Sequence, residues 1–336
     1  MKKIYCFPLP LLVTLLIALT FSGCSRESKK ARYLEQADRA FASDKYDLAE
    51  IDYKNTLKID NLNPRAIGRL ALIYADQGRI GQAIPFVLKG RELQPDNLEL
   101  RLKFAQLNLA TGNLKDARAE AYAILERHPT NPDAPVLLTG TIARPQDIAE
   151  VRTRLEGLPA PTSSGAPVLT ALAMIELLQG HIKEGEALLQ KALAADPKFA
   201  AAHSALGTLY GLQNDKIKAL QSFKLAAEES PARSPRRLQY AQFLITSGDA
   251  NAGTKYLEEI TRATPDFLSA WTMLAEFALM DKQYKTCASY IDKIVARDGQ
   301  NLEALFIRGR LQLAQGNTTK GVEEFARLAN IYPRAP

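Results

Sequence analysis

An all-α solenoid of stacked helix–turn–helix repeats is the fold class this sequence predicts, and three observations predict it. The helix formers Ala, Leu, Glu, Lys, Gln and Arg dominate, and no segment alternates apolar and polar residues as a half-buried strand does. The turn glycines Gly78, Gly112, Gly180, Gly248 and Gly316 are separated by 34, 68, 68 and 68 residues, all multiples of one step. Pro95, Pro129, Pro197, Pro231, Pro265 and Pro333 keep that step, each where a second helix must stop because proline lacks an N–H and clashes with the turn before it. A fixed period carried by two independent signals is the mark of a repeat architecture.

The chain opens with a leader. Met1-Lys2-Lys3 is basic, Leu9 to Phe21 is apolar apart from Pro10 and Thr14, and the small residues Ser22 and Gly23 precede Cys24. This order predicts a secretory signal peptide over 1–23. Phe21-Ser22-Gly23-Cys24 resembles the bacterial lipobox, departing from it at Phe21 where Leu is usual. The resemblance implies cleavage before Cys24, lipidation of its thiol and an acyl anchor in the bilayer. Ser25, where an Asp would retain the protein in the inner membrane, implies sorting to the outer membrane of a diderm host. The alternative is an uncleaved transmembrane anchor, against which the apolar stretch is short and broken by Pro8 and Pro10. Either way the rest of the chain lies outside the cytoplasm. Residues 24–29 are polar after the cysteine and are expected to form a flexible tether.

Nine 34-residue windows follow without insertion or deletion, starting at Lys30, Pro64, Leu98, Pro132, Ala166, Ala200, Ser234, Leu268 and Leu302. Asn214 and Lys282 stand where the period would place turn glycines, and Asn is the next-best residue for a left-handed helix end. The second window holds Ile67, Leu70, Ala71, Tyr74, Ala83, Val87 and Gly90. The sixth holds Leu206, Gly207, Tyr210, Ala219, Phe223 and Ala226, and the eighth Trp271, Leu274, Ala275, Ala278, Cys287 and Ile291. This spacing of large and small residues resembles the tetratricopeptide-repeat (TPR) family, from which His203 departs in the sixth window. The resemblance implies a right-handed superhelix of about nine repeats. Trp271 and Cys287 fall on its core positions, so a packed indole and a buried inert thiol are expected.

The fourth window departs most, since Pro132, Pro135, Pro145, Pro159 and Pro161 with Thr162-Ser163-Ser164-Gly165 replace the motif. A degenerate repeat over 132–165, with short helices and a loop near 159–167, is expected to act as a hinge. It separates a three-repeat block over 30–131 from a five-repeat block over 166–335.

Nothing in the residue pattern points to catalysis. His128, His181 and His203 occupy different positions of different windows, no His-x-x-x-His or Cys-x-x-Cys pair occurs, and the glycines sit singly at turns rather than in a phosphate loop. The histidines are therefore expected in loops or on helix surfaces, and neither cofactor nor metal is expected. The net charge of +6 falls to +4 once Lys2 and Lys3 leave with the leader, and basic residues are interleaved with acids on every helix. That distribution speaks against a nucleic-acid partner.

The family places a concave binding face on its first helices. Carried over position by position, it implies a groove containing Leu72, Gln106, Leu109, Met174, Thr208, Gln242, Ile245, Glu276, Leu279, Phe306 and Arg310. This mixture suits a peptide or protein partner held by apolar anchors and polar registers. The chaperone-type carboxylate clamp and the asparagine ladder of glycosyltransferase TPRs are both absent from the positions that would carry them. The expected function is a non-catalytic scaffold tethered on the periplasmic side, in envelope assembly, secretion or surface-polymer export. Residues 33–60 weakly resemble the opening of TPR lipoproteins of exopolysaccharide and exosortase systems. The alternative is the substrate-recruiting part of a larger enzyme or assembly. The last window lacks a polar cap, so Val322, Phe325 and Leu328 are expected to be partly exposed and open to self-association.

Overall fold

The computed structural model describes residues 10–332, with side chains from residue 26 onward. The described residues form eighteen α-helices, one short 3-10 turn and no strand. Repeat one pairs α1 (Pro10–Ala42) with α2 (Tyr46–Ile59), repeat two α3 (Pro64–Asp76) with α4 (Ile80–Leu93), and repeat three α5 (Leu98–Ala110) with α6 (Leu114–Arg127). The fourth window gives α7 (Ala134–Gly140), α8 (Pro145–Glu156) and the 3-10 turn Thr162–Ser164. Repeats five to nine are α9 (Ala166–Leu178) with α10 (Ile182–Ala195), α11 (Ala200–Leu212) with α12 (Lys216–Glu228), α13 (Pro235–Thr246) with α14 (Ala250–Ala263), α15 (Leu268–Met280) with α16 (Tyr284–Arg297), and α17 (Leu302–Ala314) with α18 (Thr318–Ile331).

Local chemistry sets these boundaries. Asn63, Asn97, Asn131 and Asn301 accept the N–H three residues on, satisfying a donor the first helical turn leaves orphaned. Between paired helices one residue adopts a positive φ of 59° to 114°. It is glycine at 78, 112, 180, 248 and 316, and Asp44, Asn214 and Lys282 at the equivalent places. Close helix approach accounts for the small residues. A Cβ on Gly253 would collide with the Ile245 side chain and lie 2.8 Å from the Ala241 carbonyl.

In the fourth window the turn comes early. α7 has seven residues where the first helices of repeats two, three and five to nine have twelve or thirteen, and Gln146, the period's turn position, lies inside α8. The core nevertheless runs through it, from Ala105 and Ile124 by way of Leu138, Val151 and Leu155 to Val168 and Ile175. Residues 25–29, expected to be a flexible tether, instead continue α1 as helix. Glu27 pairs with Lys30 at 2.8 Å, and Arg26 Nη2 donates to the Ile59 carbonyl at 2.9 Å, docking this stretch on α2.

The array also curls until its beginning touches its end. The turn after α1 meets the loop before α13, where Arg233 pairs with Asp44 and stacks 4.1 Å over the Tyr46 ring. Gln77, fully buried in the turn after α3, donates from Nε2 to Asp266 at 3.0 Å and accepts the Leu268 N–H at 2.9 Å. Arg297 at the end of α16 forks onto both oxygens of Asp47 at 2.7 and 3.0 Å.

Candidate interaction surface

The resemblance to the repeat family places the inner wall on the first helices, and burial sorts the side chains expected there. Gln106, Thr208 and Gln242 are solvent-exposed, and Phe306 is 45% exposed. Leu109, Met174, Ile245, Glu276 and Arg310 are half-buried. Leu72 and Leu279 correct the expected groove, being only 5% and 7% exposed and packed in the cores of the first and last repeats. An apolar side chain at these positions turns into the adjoining repeat because burial removes its surface from water.

Several wall residues are engaged with the next repeat. Arg310 Nη1 donates to both oxygens of Glu276 at 2.8 and 2.7 Å. Arg65 pairs with Asp38 at 2.7 Å, Lys103 with Asp76 at 2.6 Å, and Ser204 Oγ donates to Gln239. Met174 Sδ accepts from Thr139 Oγ1 at 3.5 Å, linking α9 to the shortened α7. The wall is thus apolar patches interleaved with paired charges. A partner would have to offer both apolar anchors and groups able to compete for, or bridge, these ion pairs.

A feature missed by sequence reasoning recurs beneath the wall. The fourth residue of a window reaches back to the carbonyl of the proline six positions earlier. Arg101 reaches Pro95 at 3.5 Å, His203 Pro197 at 2.9 Å, Arg237 Pro231 at 3.0 Å and Trp271 Pro265 at 3.0 Å. Chemically unlike residues thus share one task, satisfying a carbonyl at the junction between repeats. His203 is accordingly 8% exposed rather than a surface histidine, while His128 and His181 are exposed. Trp271 is half-buried, tilted against Tyr290 with ring centroids 5.7 Å apart, and Lys293 Nζ lies 4.6 Å over its ring. Cys287 is fully buried, and burial pushes its thiol up to about 11.

Two of the clefts among the described residues lie between repeats. One of about 570 Å³ lies between repeats seven and eight and is lined by Ile245, Phe277, Met280 and Tyr290 among others. The other, of about 470 Å³, lies where the early turn of the fourth window leaves α6 uncovered, beside Arg118, Tyr122 and Asp147. No group of three or more His, Cys, Asp or Glu positioned for a metal occurs among the described residues. Nor is any helix among them long and apolar enough to cross a membrane. The side chain of Cys24, the expected lipidation site, lies outside the described residues, as does Pro333. At the far end Val322 is 60% exposed, Phe325 half-buried and Leu328 9% exposed, so α18 hides part of its own apolar face against α17.

Comparisons with known proteins agree on the repeat. Tetratricopeptide-repeat family models match residues 76–134 and 170–234. Cellulose synthase 1 operon protein C of Komagataeibacter xylinus is 25% identical over 171 residues, which are 51% of this chain and 11% of that protein. The chain thus spans about a tenth of the length of that relative. Among solved structures, a thermophilic TPR protein of Thermus thermophilus is 20% identical with a TM-score of 0.43, covering 54% of this chain and 99% of that one. Yeast Tom70 is 16% identical with a TM-score of 0.43, covering 93% of this chain and 71% of its own. Residues 76–134 and 170–234 thus carry tetratricopeptide repeats, the unit from which protein-interaction scaffolds are built.

Proposed function

We propose that this protein is an exported, membrane-tethered scaffold that holds a protein partner against its concave face during synthesis or export of a surface polysaccharide. The observation that carries the polymer assignment is the stretch of 171 residues shared with a cellulose synthase operon protein. Tethering rests on the leader and on Cys24 within Phe21-Ser22-Gly23-Cys24. A lipidated cysteine at position 24, within α1 and at the start of the processed chain, would hold repeat one beside the outer membrane and leave the inner wall facing the periplasm. Two acyl chains suffice for stable anchoring where one does not. The scaffold acts by position: it raises the partner's local concentration at the membrane without chemistry of its own.

Fractionation of cells tests the tether. Wild-type protein should sediment with the outer membrane, and Cys24→Ser should be released to the soluble periplasmic fraction. A variant that stays with the membrane would show that attachment does not pass through this thiol. One observation favours a second reading, a recruiting module within a larger assembly: the related stretch is 11% of a much longer protein. Co-purification with a polymer-synthesising enzyme at fixed stoichiometry would separate this from a free-standing scaffold.

A further inference from the structure

The contacts that join the two ends of the array have the character of a built joint. They link residues 189 positions apart at Asp44–Arg233 and Gln77–Asp266, and 250 apart at Asp47–Arg297, about five and a half to seven and a half repeats. One side of the joint is withdrawn from water, while the acids that reach it from the first repeat, Asp44 and Asp47, stay about half-exposed. Arg233 and Asp266 have side chains 8% and 5% exposed, and Asp266 receives Arg233 through two nitrogens at 2.9 to 3.3 Å as well as Gln77. Arg233 and Asp266 lie on the same side of the joint and keep each other when the ends part, so separation would cost the Asp44–Arg233 and Asp47–Arg297 pairs and leave the buried Gln77 amide without its Asp266 partner. The turn glycines say the same. A Cβ on Gly112, Gly180, Gly248 or Gly316 would meet nothing within 4 Å, whereas one on Gly78 would lie 2.6 Å from Ser269 Oγ. Only at Gly78 is a turn glycine pressed against another part of the chain.

Closure changes what the concave face can receive. Helices pack about 8–10 Å apart, so a wall of roughly six repeats encloses an interior on the order of 10 Å across once helix thickness is subtracted.

We propose that the Asp44–Arg233–Asp266–Gln77 joint is a latch that closes the coil around its concave face. While shut, the interior takes a single polypeptide segment entering from an end of the coil, and a folded domain gains the face only when the latch parts. What enters rests on the concave-face reading above; the latch itself does not.

The latch is tested without any partner. In the full chain with Cys6→Ser and Cys24→Ser, the pair Gly78→Cys and Ser269→Cys is oxidised. The built Cβ at 78 lies 3.8 Å from Ser269 Cβ, within the span of a disulfide, and the Asp, Asn and Lys at equivalent turn positions show that a side chain is tolerated there. The expected result is rapid intramolecular crosslinking, seen as a faster band on a non-reducing gel. A folded, monomeric variant that fails to crosslink would overturn the latch. Should the pair not fold, nitroxides at Lys45 and Glu229 replace it: one short distance that lengthens in Arg233→Ala/Asp266→Ala supports closure, and a long, broad distribution in the unmutated joint refutes it. Access is then read at Thr208→Cys against the surface control Lys282→Cys. N-ethylmaleimide and a maleimide on a Gly–Ser peptide should label both sites, and maleimide-coupled ubiquitin should label Thr208→Cys at least about tenfold more slowly until Arg233 and Asp266 are replaced. Equal ubiquitin labelling of both sites in the latched chain would contradict the enclosure. Failure of the concave-face reading would appear elsewhere, as partner contacts confined to the outer surface with the disulfide still forming.

Discussion

At the scale of single residues the repeat motif is a rule about volume. Gly253 carries that rule to its limit, because the space a Cβ would need is occupied by a backbone carbonyl that cannot step aside. Gly253→Ala should lower stability by about 1–3 kcal/mol in urea titration, as overpacking does. Trp271→Ala should cost about 2–3 kcal/mol, below the range for a fully enclosed indole, because the ring is half-buried. Cys287 should resist thiol reagents at pH 8 until the chain unfolds, since burial both blocks access and raises its pKa. The large and small positions were legible from the 34-residue period together with the resemblance to the repeat family. The roles of His203 and Trp271 as donors to proline carbonyls were not, because Arg, His and Trp share no pattern that a hydrophobic period can detect. Only the backbone junction reveals that each supplies an N–H at the same place.

At the scale of elements the fourth window shows how much irregularity the array absorbs. Its prolines announced short helices, and the early turn after α7 follows from Pro145, which sits in the first turn of α8. The sequence could not show what replaces the lost helical turn. Arg118 of α6 reaches across to Asp147 at 2.9 Å and to the Thr141 carbonyl, while Asp147 also accepts the Ala143 and Arg144 N–H groups. The Arg118 hydrogen bond, with help from these amides and Arg144, holds the Asp147 carboxyl far below its usual range against the opposing effect of burial. Glu150 is the other acid facing Arg118, at 3.4 Å, and Tyr122 lies alongside. A carboxylate with a lowered folded-state pKa stabilises the fold above its unfolded value near 4 and loses that contribution as pH falls toward the folded value. Arg118→Ala should therefore reduce stability at pH 7 and flatten its decline between about pH 4 and 2. Parallel wild-type and variant curves across that acid range would show that the Arg118–Asp147 pair does not set the acid response.

At the scale of the whole molecule, periodicity foretells a stack of repeats but not where the stack closes. Curvature accumulates from small rotations at every interface, so contacts between residues 189 apart depend on packing summed over many repeats. Of the positions that the family resemblance assigns to the concave face, Leu72 and Leu279 are buried, because leucine gains more from a neighbouring helix than from a solvent-lined wall. The polar members Gln106, Thr208 and Gln242 remain exposed on that wall and are the natural probes of it. The most direct measurement places a photo-crosslinking residue at each of these three positions, and at exposed Lys224 and Lys255 on second helices, in the protein's own cells. Crosslinks to one partner, concentrated at Gln106, Thr208 and Gln242, are the predicted result. Crosslinks to that partner only through Lys224 and Lys255 would show that this scaffold binds by its outer surface.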